Sequence, residues 1–160
     1  MKTVKILNNI RNIAPVYVGD DYPPTIIASI GVSNPGDTIQ KEIEKALSAI
    51  ESGAQIITDH SLRENIDEIH KEMIEKINVP FSTVSIYESA VYFKKYNTIT
   101  SELILKQYEN QVKRGIDMLT IHATVFLEDL KLLKNSKRII PCTSRGGTMM
   151  LEIMEKMNFN

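Results

Sequence analysis

At 160 residues the chain has the length of one ordinary domain, and its 42% hydrophobic and 24% charged residues are typical of a globular fold. A formal net charge of -1 gives no electrostatic attraction to nucleic acid or to an anionic membrane, so neither is expected as a partner. The single cysteine, Cys142, excludes an intramolecular disulfide and cannot by itself ligate a structural zinc or an iron–sulfur cluster.

The chain is predicted to begin with an extended lead-in and to continue as one domain. Residues 1–24 carry little regular pattern and end in two prolines, so they are assigned to a lead-in over the domain of residues 25–160. A helix begins at Asp37, with Gln40 as its capping-box partner, and Gly53 ends it because glycine tolerates left-handed dihedrals.

Strands and helices then alternate to the end of the sequence. The predicted strands lie at residues 25–31, 55–58, 81–86, 117–121 and 138–141, and the later helices at 66–77, 101–114, about 126–134 and from about Thr148. The strands are almost continuously apolar, which suits a parallel sheet buried on both faces. Right-handed crossovers then allow an α/β fold of two kinds: a partial (β/α) TIM-like barrel of about five parallel strands, or an open doubly wound sheet.

Polar residues cluster at the predicted carboxyl ends of the strands, where (β/α) folds build their sites. These residues are Ser29 and Gly31, Asp59 and His60, Ser85 and Tyr87, His122, and Ser144 and Arg145.

The stretch Ser144-Arg145-Gly146-Gly147 is suited to a phosphate. Its glycines let backbone N–H groups approach an anion, the following helix adds its positive end, and Arg145 offers a bidentate fork. The same residues are equally compatible with a Gly-Gly turn whose arginine is simply solvated.

The other candidates have both a functional and a structural interpretation. His122 would polarise or protonate a ligand, although a strand-end histidine is more often structural. Asp59 and His60 are adjacent, so they point to opposite faces of a strand and are not expected to share a metal ion. His70 is expected on the surface of its helix, and Cys142 is expected to pack in the core.

An ordered set of stretches resembles the phosphomethylpyrimidine synthase family, called ThiC, over most of residues 26–147. The stretches are IIASIG at 26–31, SGAQIITDHS at 52–61, NIDEI at 65–69, VPFSTVSIY at 79–87, GIDMLTIHA at 115–123 and SRGG at 144–147. The resemblance implies a (β/α)₈ barrel enzyme that uses a [4Fe-4S] cluster and S-adenosylmethionine. Such enzymes rearrange aminoimidazole ribotide into hydroxymethylpyrimidine phosphate for thiamine, and a related branch makes hydroxybenzimidazole from the same ribotide.

The resemblance also implies site residues. It makes Tyr87, His122 and the turn of Ser144, Arg145, Gly146 and Gly147 ligand-contacting, with the turn suited to the phosphate of the ribotide. Ser29, Thr58, Asp59 and His60 are further candidates, in stretches where this chain departs from the family pattern. The family has Asn-Ala-Asn-Ile-Gly at residues 27–31 and Val-Met-Asp-Leu-Ser at residues 57–61. No catalytic residue and no metal ligand is assigned within the chain.

The family's cluster cysteines and metal-binding histidines have no counterpart in these 160 residues. The chain alone is therefore expected to hold no cofactor and to leave S-adenosylmethionine uncleaved. Three alternatives follow: a chain that works with a complementary half-barrel or as a homo-oligomer, a non-catalytic ribotide- or phosphate-binding module, and a truncated relic. A cytoplasmic location is expected, since there is no signal-peptide core and no apolar run of roughly 18 residues.

Overall fold

The structure, a computed structural model, describes residues 3–6, 10–63 and 65–158. Within these residues, strands and helices alternate along most of the chain. In chain order they are β1 (Val4–Ile6), β2 (Val16–Val18), β3 (Ile27–Ile30), α1 (Ile39–Glu51), β4 (Ile56–Asp59), α2 (Ile66–Lys76), β5 (Phe81–Val84), α3 (Ile86–Tyr96), α4 (Ser101–Lys113), β6 (Met118–Thr120), α5 (Asp129–Lys134) and α6 (Arg145–Met157). No helix in this part of the chain is both long and apolar enough to span a bilayer.

Four of the strands form one parallel sheet in the order β3-β4-β5-β6. Neighbours in the sheet are neighbours in sequence, and every crossover contains at least one helix. An order that never reverses is typical of a barrel wall, whereas a doubly wound sheet reverses at a switch point. The prediction of an α/β fold with a partial barrel is confirmed, and the described residues contain no closed barrel.

The face of the sheet that meets α1 and α2 holds the main hydrophobic core. Ile57 and Phe81 are fully buried there against Ala46 of α1 and Met73 of α2. Fully burying one large aliphatic or aromatic side chain contributes about 1.5–3 kcal/mol, so this layer is a principal source of stability. A second cluster joins the end of β5 to three helices, with Ile86 and Phe93 of α3, Ile104 and Tyr108 of α4, and Ile153 of α6.

The first two strands form a small antiparallel hairpin that pairs Val4 with Val18. Arg11 lies between them and connects this lead-in to the domain. Its guanidinium donates to Asp117 Oδ2 at 2.5 Å and to the carbonyl oxygen of Ile77 at 2.8 Å. Ile77 and Asp117 precede β5 and β6, so this contact lies at the amino-terminal ends of the strands, opposite to the candidate site.

Two glycines end helices as the pattern predicted for them. Gly53 and Gly115 follow α1 and α4 with φ angles of 103° and 99°, in the left-handed region that side chains disfavour. The start of α1 differs from the prediction, because Thr38 is the N-cap and accepts the Lys41 N–H. The Asp37 carboxylate instead accepts the N–H groups of Ser33 and Asn34, which lower its pKa.

The predicted strand at residues 138–141 is wrong. Those residues form bends, and Ile139 and Ile140 are largely exposed. A strand of a parallel sheet needs backbone partners and cover on both faces. This segment has only two apolar residues, and Pro141 has no N–H to donate to a ladder.

The prediction also missed a helix. Residues 85 and 86 were assigned to a strand, but β5 ends at Val84 and α3 begins at Ile86. The apolar residues Ile86, Ala90 and Phe93 recur at helical spacing and pack into the second cluster.

Candidate strand-end site

The face of the sheet opposite α1 and α2 carries a row of hydroxyl groups. Ser29 of β3 is in register with Thr58 of β4, and Thr58 is in register with Ser82 of β5. Residues paired in this way project to the same side of a sheet. Two of the candidates, Ser29 and Thr58, therefore share one face, together with Ser82, which the sequence did not indicate.

Tyr87, Arg145 and His60 come together at the carboxyl ends of the strands. Tyr87 is the second residue of α3 and is almost fully buried, and the His60 ring meets it edge-on at a centroid distance of 6.1 Å. The positive charge of Arg145 acts on the Tyr87 hydroxyl. Burial raises the pKa of that hydroxyl, and the charge of Arg145 offsets part of the rise. Tyr87 therefore stays protonated at neutral pH.

His122 and Gly146 form a second contact beside the first. A β-carbon built on Gly146 would lie 2.5 Å from His122 Nε2 and 2.9 Å from Nδ1. The imidazole therefore occupies the space that a side chain would need. His122 Nδ1 is buried and has no hydrogen-bond partner among the described residues. Gly146 follows Arg145 directly in the sequence. The residue that packs against His122 and the residue that acts on Tyr87 are therefore neighbours.

The Ser-Arg-Gly-Gly stretch is the first turn of α6. The helix begins at Arg145, three residues earlier than predicted, and Ser144 is its N-cap. Ser144 Oγ accepts the Gly147 N–H at 3.1 Å, and the Ser144 carbonyl accepts the Thr148 N–H at 2.9 Å. The N–H groups of Arg145 and Gly146 have no acceptor in the described part of the chain. An anion at this end would therefore meet two free donors, the positive end of the helix dipole and the Arg145 side chain.

A cavity of about 440 Å³ lies against this turn. Its polar lining includes His122, Asp129, Cys142 and Ser144, and leucines of α5 and α6 supply much of the rest. Sites for small molecules have volumes of about 300–1,000 Å³, so the space is adequate for one. Cys142 is half-buried at the cavity wall rather than packed in the core.

Asp59 faces away from the hydroxyl row, towards the helices. Its Oδ2 lies 3.1 Å from Nε2 of His70 on α2, and its Oδ1 accepts a hydrogen bond from Ser61 Oγ at 2.6 Å. Asp59 and His70 are both almost fully buried. The prediction that His70 lies on the surface is wrong, because the buried carboxylate of Asp59 gives the imidazole a partner inside the protein.

Sequence reasoning missed the residues that support this edge of the sheet. Ser61, Ser82 and Gln111 are buried, and Gln111 Oε1 accepts a hydrogen bond from Thr83 Oγ1 at 2.7 Å. The only signal available was the unusual number of hydroxyl residues in β5, at residues 82 and 83.

The donor set of the chain does not fit an iron–sulfur cluster. Cys142 is the only cysteine in the sequence, whereas such a cluster is held by several thiolates. In the residues that the structure describes, no three side chains of the His, Cys, Asp and Glu types approach closely enough to hold a metal ion.

Comparison with known proteins identifies relatives over nearly the whole chain. The family model described as "Radical SAM ThiC family" matches residues 2–160. The chain is 37% identical over 147 residues to phosphomethylpyrimidine synthase of Caldanaerobacter subterraneus subsp. tengcongensis, which covers 89% of this chain and 34% of that protein. It is 34% identical over 148 residues to phosphomethylpyrimidine synthase 2 of Methanosarcina barkeri, covering 92% and 35%.

A third relative shows the same coverage. Phosphomethylpyrimidine synthase of Haloarcula marismortui is 36% identical over 142 residues, which cover 89% of this chain and 29% of that protein. The chain spans about a third of the length of the curated relatives it matches.

Proposed function

Because this chain belongs to the radical SAM ThiC family, we propose that it serves synthesis of the thiamine pyrimidine by binding aminoimidazole ribotide at the carboxyl ends of its strands. The names of its curated relatives support the pathway. The strand-end geometry supports the binding role. The identity of the ligand is itself proposed, because this chain spans only about a third of the length of the relatives whose names suggest it.

The observation that carries the proposal is the placement of Arg145. Arg145 is exposed at the start of α6, where two backbone N–H groups are free, and its charge acts on the Tyr87 hydroxyl beside it. A guanidinium held beside free amide donors is the arrangement that binds a phosphate group with both charge and direction.

The remaining polar groups then orient the rest of the ribotide. The His122 imidazole rests against Gly146, one residue from the phosphate position. On the other side, His60 lies against Tyr87, and the Ser29 and Thr58 hydroxyls follow along the sheet. These groups offer donors and acceptors to a ribose or an aminoimidazole ring.

The role proposed for these 160 residues is binding and orientation of the substrate. Cluster ligands and the groups that act on S-adenosylmethionine would have to come from residues outside them, because one cysteine cannot supply a cluster. The same observation supports a second candidate, a module that binds the ribotide without chemistry. The two candidates make the same prediction for binding. Only the first predicts turnover when the purified chain is mixed with a polypeptide that carries the cluster.

Calorimetric titration of aminoimidazole ribotide into the wild type and the Arg145→Ala variant tests the proposal. We expect the wild type to bind one ribotide and Arg145→Ala to lose about tenfold or more in affinity, since a hydrogen bond to a charged group contributes about 1.5–3 kcal/mol. Lys76→Ala is the matched control. Lys76 is an exposed cation at the end of α2. It lies near the amino-terminal ends of the strands, away from the candidate site. Absence of binding in the wild type, or an equal loss in both variants, would remove the proposal.

A further inference from the structure

A chain of buried hydrogen bonds runs from α2 to the loops of the proposed site, and the proposed binding role does not involve it. It starts at His70, which is 2% exposed and whose Nε2 lies 3.1 Å from Asp59 Oδ2. Because a carboxylate only accepts, Nε2 carries the proton of this bond. The Phe81 ring packs against the imidazole in a T-shaped arrangement, with 5.7 Å between the ring centroids.

The second oxygen of Asp59 continues the chain to Ser61. Asp59 Oδ1 accepts both the backbone N–H of Ser61 at 3.1 Å and its hydroxyl at 2.6 Å. Ser61 Oγ in turn accepts the N–H of Val32 at 2.9 Å. Three side chains thereby join α2 to the loop after β4 and to the loop after β3.

These two loops carry groups of the proposed site. His60 lies between Asp59 and Ser61, and its ring contacts Tyr87. A β-carbon on Gly31 would lie 2.8 Å from the His60 carbonyl carbon, so the two loops are in tight backbone contact. The N–H of Leu62 also donates to the Val32 carbonyl at 3.1 Å. The two loops are therefore joined by direct backbone contacts, and the Asp59 carboxylate is linked to both of them through Ser61.

We propose that His70 is a positioning residue, which fixes the Asp59 carboxylate and through it the His60 and Val32 loops in the conformation that binds the ligand. The ligand-binding part of this inference rests on the proposed function, but the effect on the loops does not. Without the His70 donor, the buried Asp59 carboxylate loses one of its partners and is free to turn away from Ser61. Supporting residues of this kind commonly set how well a site is preorganised.

Hydrogen exchange of the ligand-free protein tests the effect on the loops. In His70→Leu we expect the Ser61 and Val32 amides to exchange about tenfold faster or more than in the wild type. The Ile57 amide, which donates to the Pro80 carbonyl within the sheet, should keep its rate. In His70→Gln, whose side-chain amide supplies a donor again, the two loop amides should return to nearly wild-type rates. Equal acceleration of all amides, or no acceleration of the two loop amides, would overturn the proposal.

If His70→Leu does not fold, the comparison of His70→Gln with the wild type still tests the role of His70, and Ser61→Ala tests separately whether Ser61 connects Asp59 to the Val32 loop. The smaller side chain removes the acceptor of the Val32 N–H and leaves the His70 to Asp59 bond in place. We expect faster exchange at Val32 with the Ile57 rate unchanged. A Val32 amide that stays fully protected in this variant would contradict the proposed chain.

Calorimetric titration of aminoimidazole ribotide supplies the second arm. His70→Leu should bind about tenfold more weakly than the wild type, and His70→Gln should recover to within about twofold. Wild-type affinity in His70→Leu would overturn the inference. If the wild type itself binds no ribotide, the proposed function fails, and the exchange rates still decide whether His70 positions the loops.

Discussion

The imidazole of His122 lies against the backbone of Gly146 in the space where any other residue would carry its β-carbon. This contact places a strand-end histidine at the first turn of α6, next to Arg145. Two residues that are 24 positions apart in the sequence thereby form one surface. Glycine is required at position 146 by this approach and not by its backbone angles, since it lies within a regular helix.

The substitution Gly146→Ala should displace His122 and weaken binding of aminoimidazole ribotide by about tenfold. Alanine favours a helix by about 1 kcal/mol over glycine, and this gain offsets the cost of displacing the imidazole. The free energy of unfolding should therefore change little. NMR signals of the His122 ring and calorimetric titration would measure the two effects. Gly36→Ala is the matched control, because a β-carbon there meets no atom within 4 Å. Unchanged His122 signals in Gly146→Ala would contradict the close contact.

The substitution Ser144→Ala should lower the free energy of unfolding by about 1 kcal/mol. The Ser144 hydroxyl accepts the Gly147 N–H, and alanine leaves that helix donor without a partner. Chemical denaturation measures the loss. Thr143→Ala, at an exposed neighbouring position, should change stability by much less. Equal effects of the two substitutions would mean that the cap contributes nothing.

The substitution Arg145→Ala should raise the pKa of Tyr87 further. Burial raises this pKa already, and the Arg145 charge offsets part of the rise. Because the folded-state pKa is raised, the stability that Tyr87 contributes is complete below the unfolded-state pKa and is lost as the pH rises through the folded-state value. NMR of ¹³C-labelled tyrosine follows the titration. Tyr108, whose pKa burial raises to about 12, serves as an internal reference that should not move.

The outer strands of the sheet lead us to expect self-association or a complementary chain. In the described residues, β3 and β6 each pair on one side only, and the apolar side chains of Ile27 in β3 and of Ile121 just after β6 are exposed. An open apolar edge favours pairing with another chain. Size-exclusion chromatography with light scattering should show dimers or larger species of the isolated chain. A monomer at every concentration tested would refute this expectation.

Much of the fold was predictable because its signals are local. Gly53 and Gly115 end their helices at the expected places, and the apolar runs of β3, β4, β5 and β6 all form strands. The α3 helix was missed because the segment is rich in β-branched and aromatic residues, which suit strands equally well. Only packing against α4 and α6 decides between the two, and sequence periodicity does not show that packing.

The structure shows where the predicted site residues lie, and it shows that one of them points away from the others. Tyr87, Arg145 and His122 lie near the carboxyl ends of the strands, where Arg145 acts on Tyr87 and His122 packs against Gly146, because that end is common to all strands of a parallel sheet. Asp59, by contrast, projects to the helix side and binds His70. A polar residue inside an amphipathic helix is most often exposed, so only the position of the Asp59 carboxylate reveals that His70 is buried.

The central claim, that the turn at Arg145 and Gly146 binds a phosphate, is tested most directly by comparing two ligands on the wild-type chain. Aminoimidazole ribotide and its dephosphorylated riboside differ only in the phosphate group. Parallel calorimetric titrations at fixed salt should show that the ribotide binds at least about tenfold more tightly, since only its phosphate meets the guanidinium and the free N–H groups. Equal affinities for the two ligands, or no binding of the ribotide, would contradict the claim.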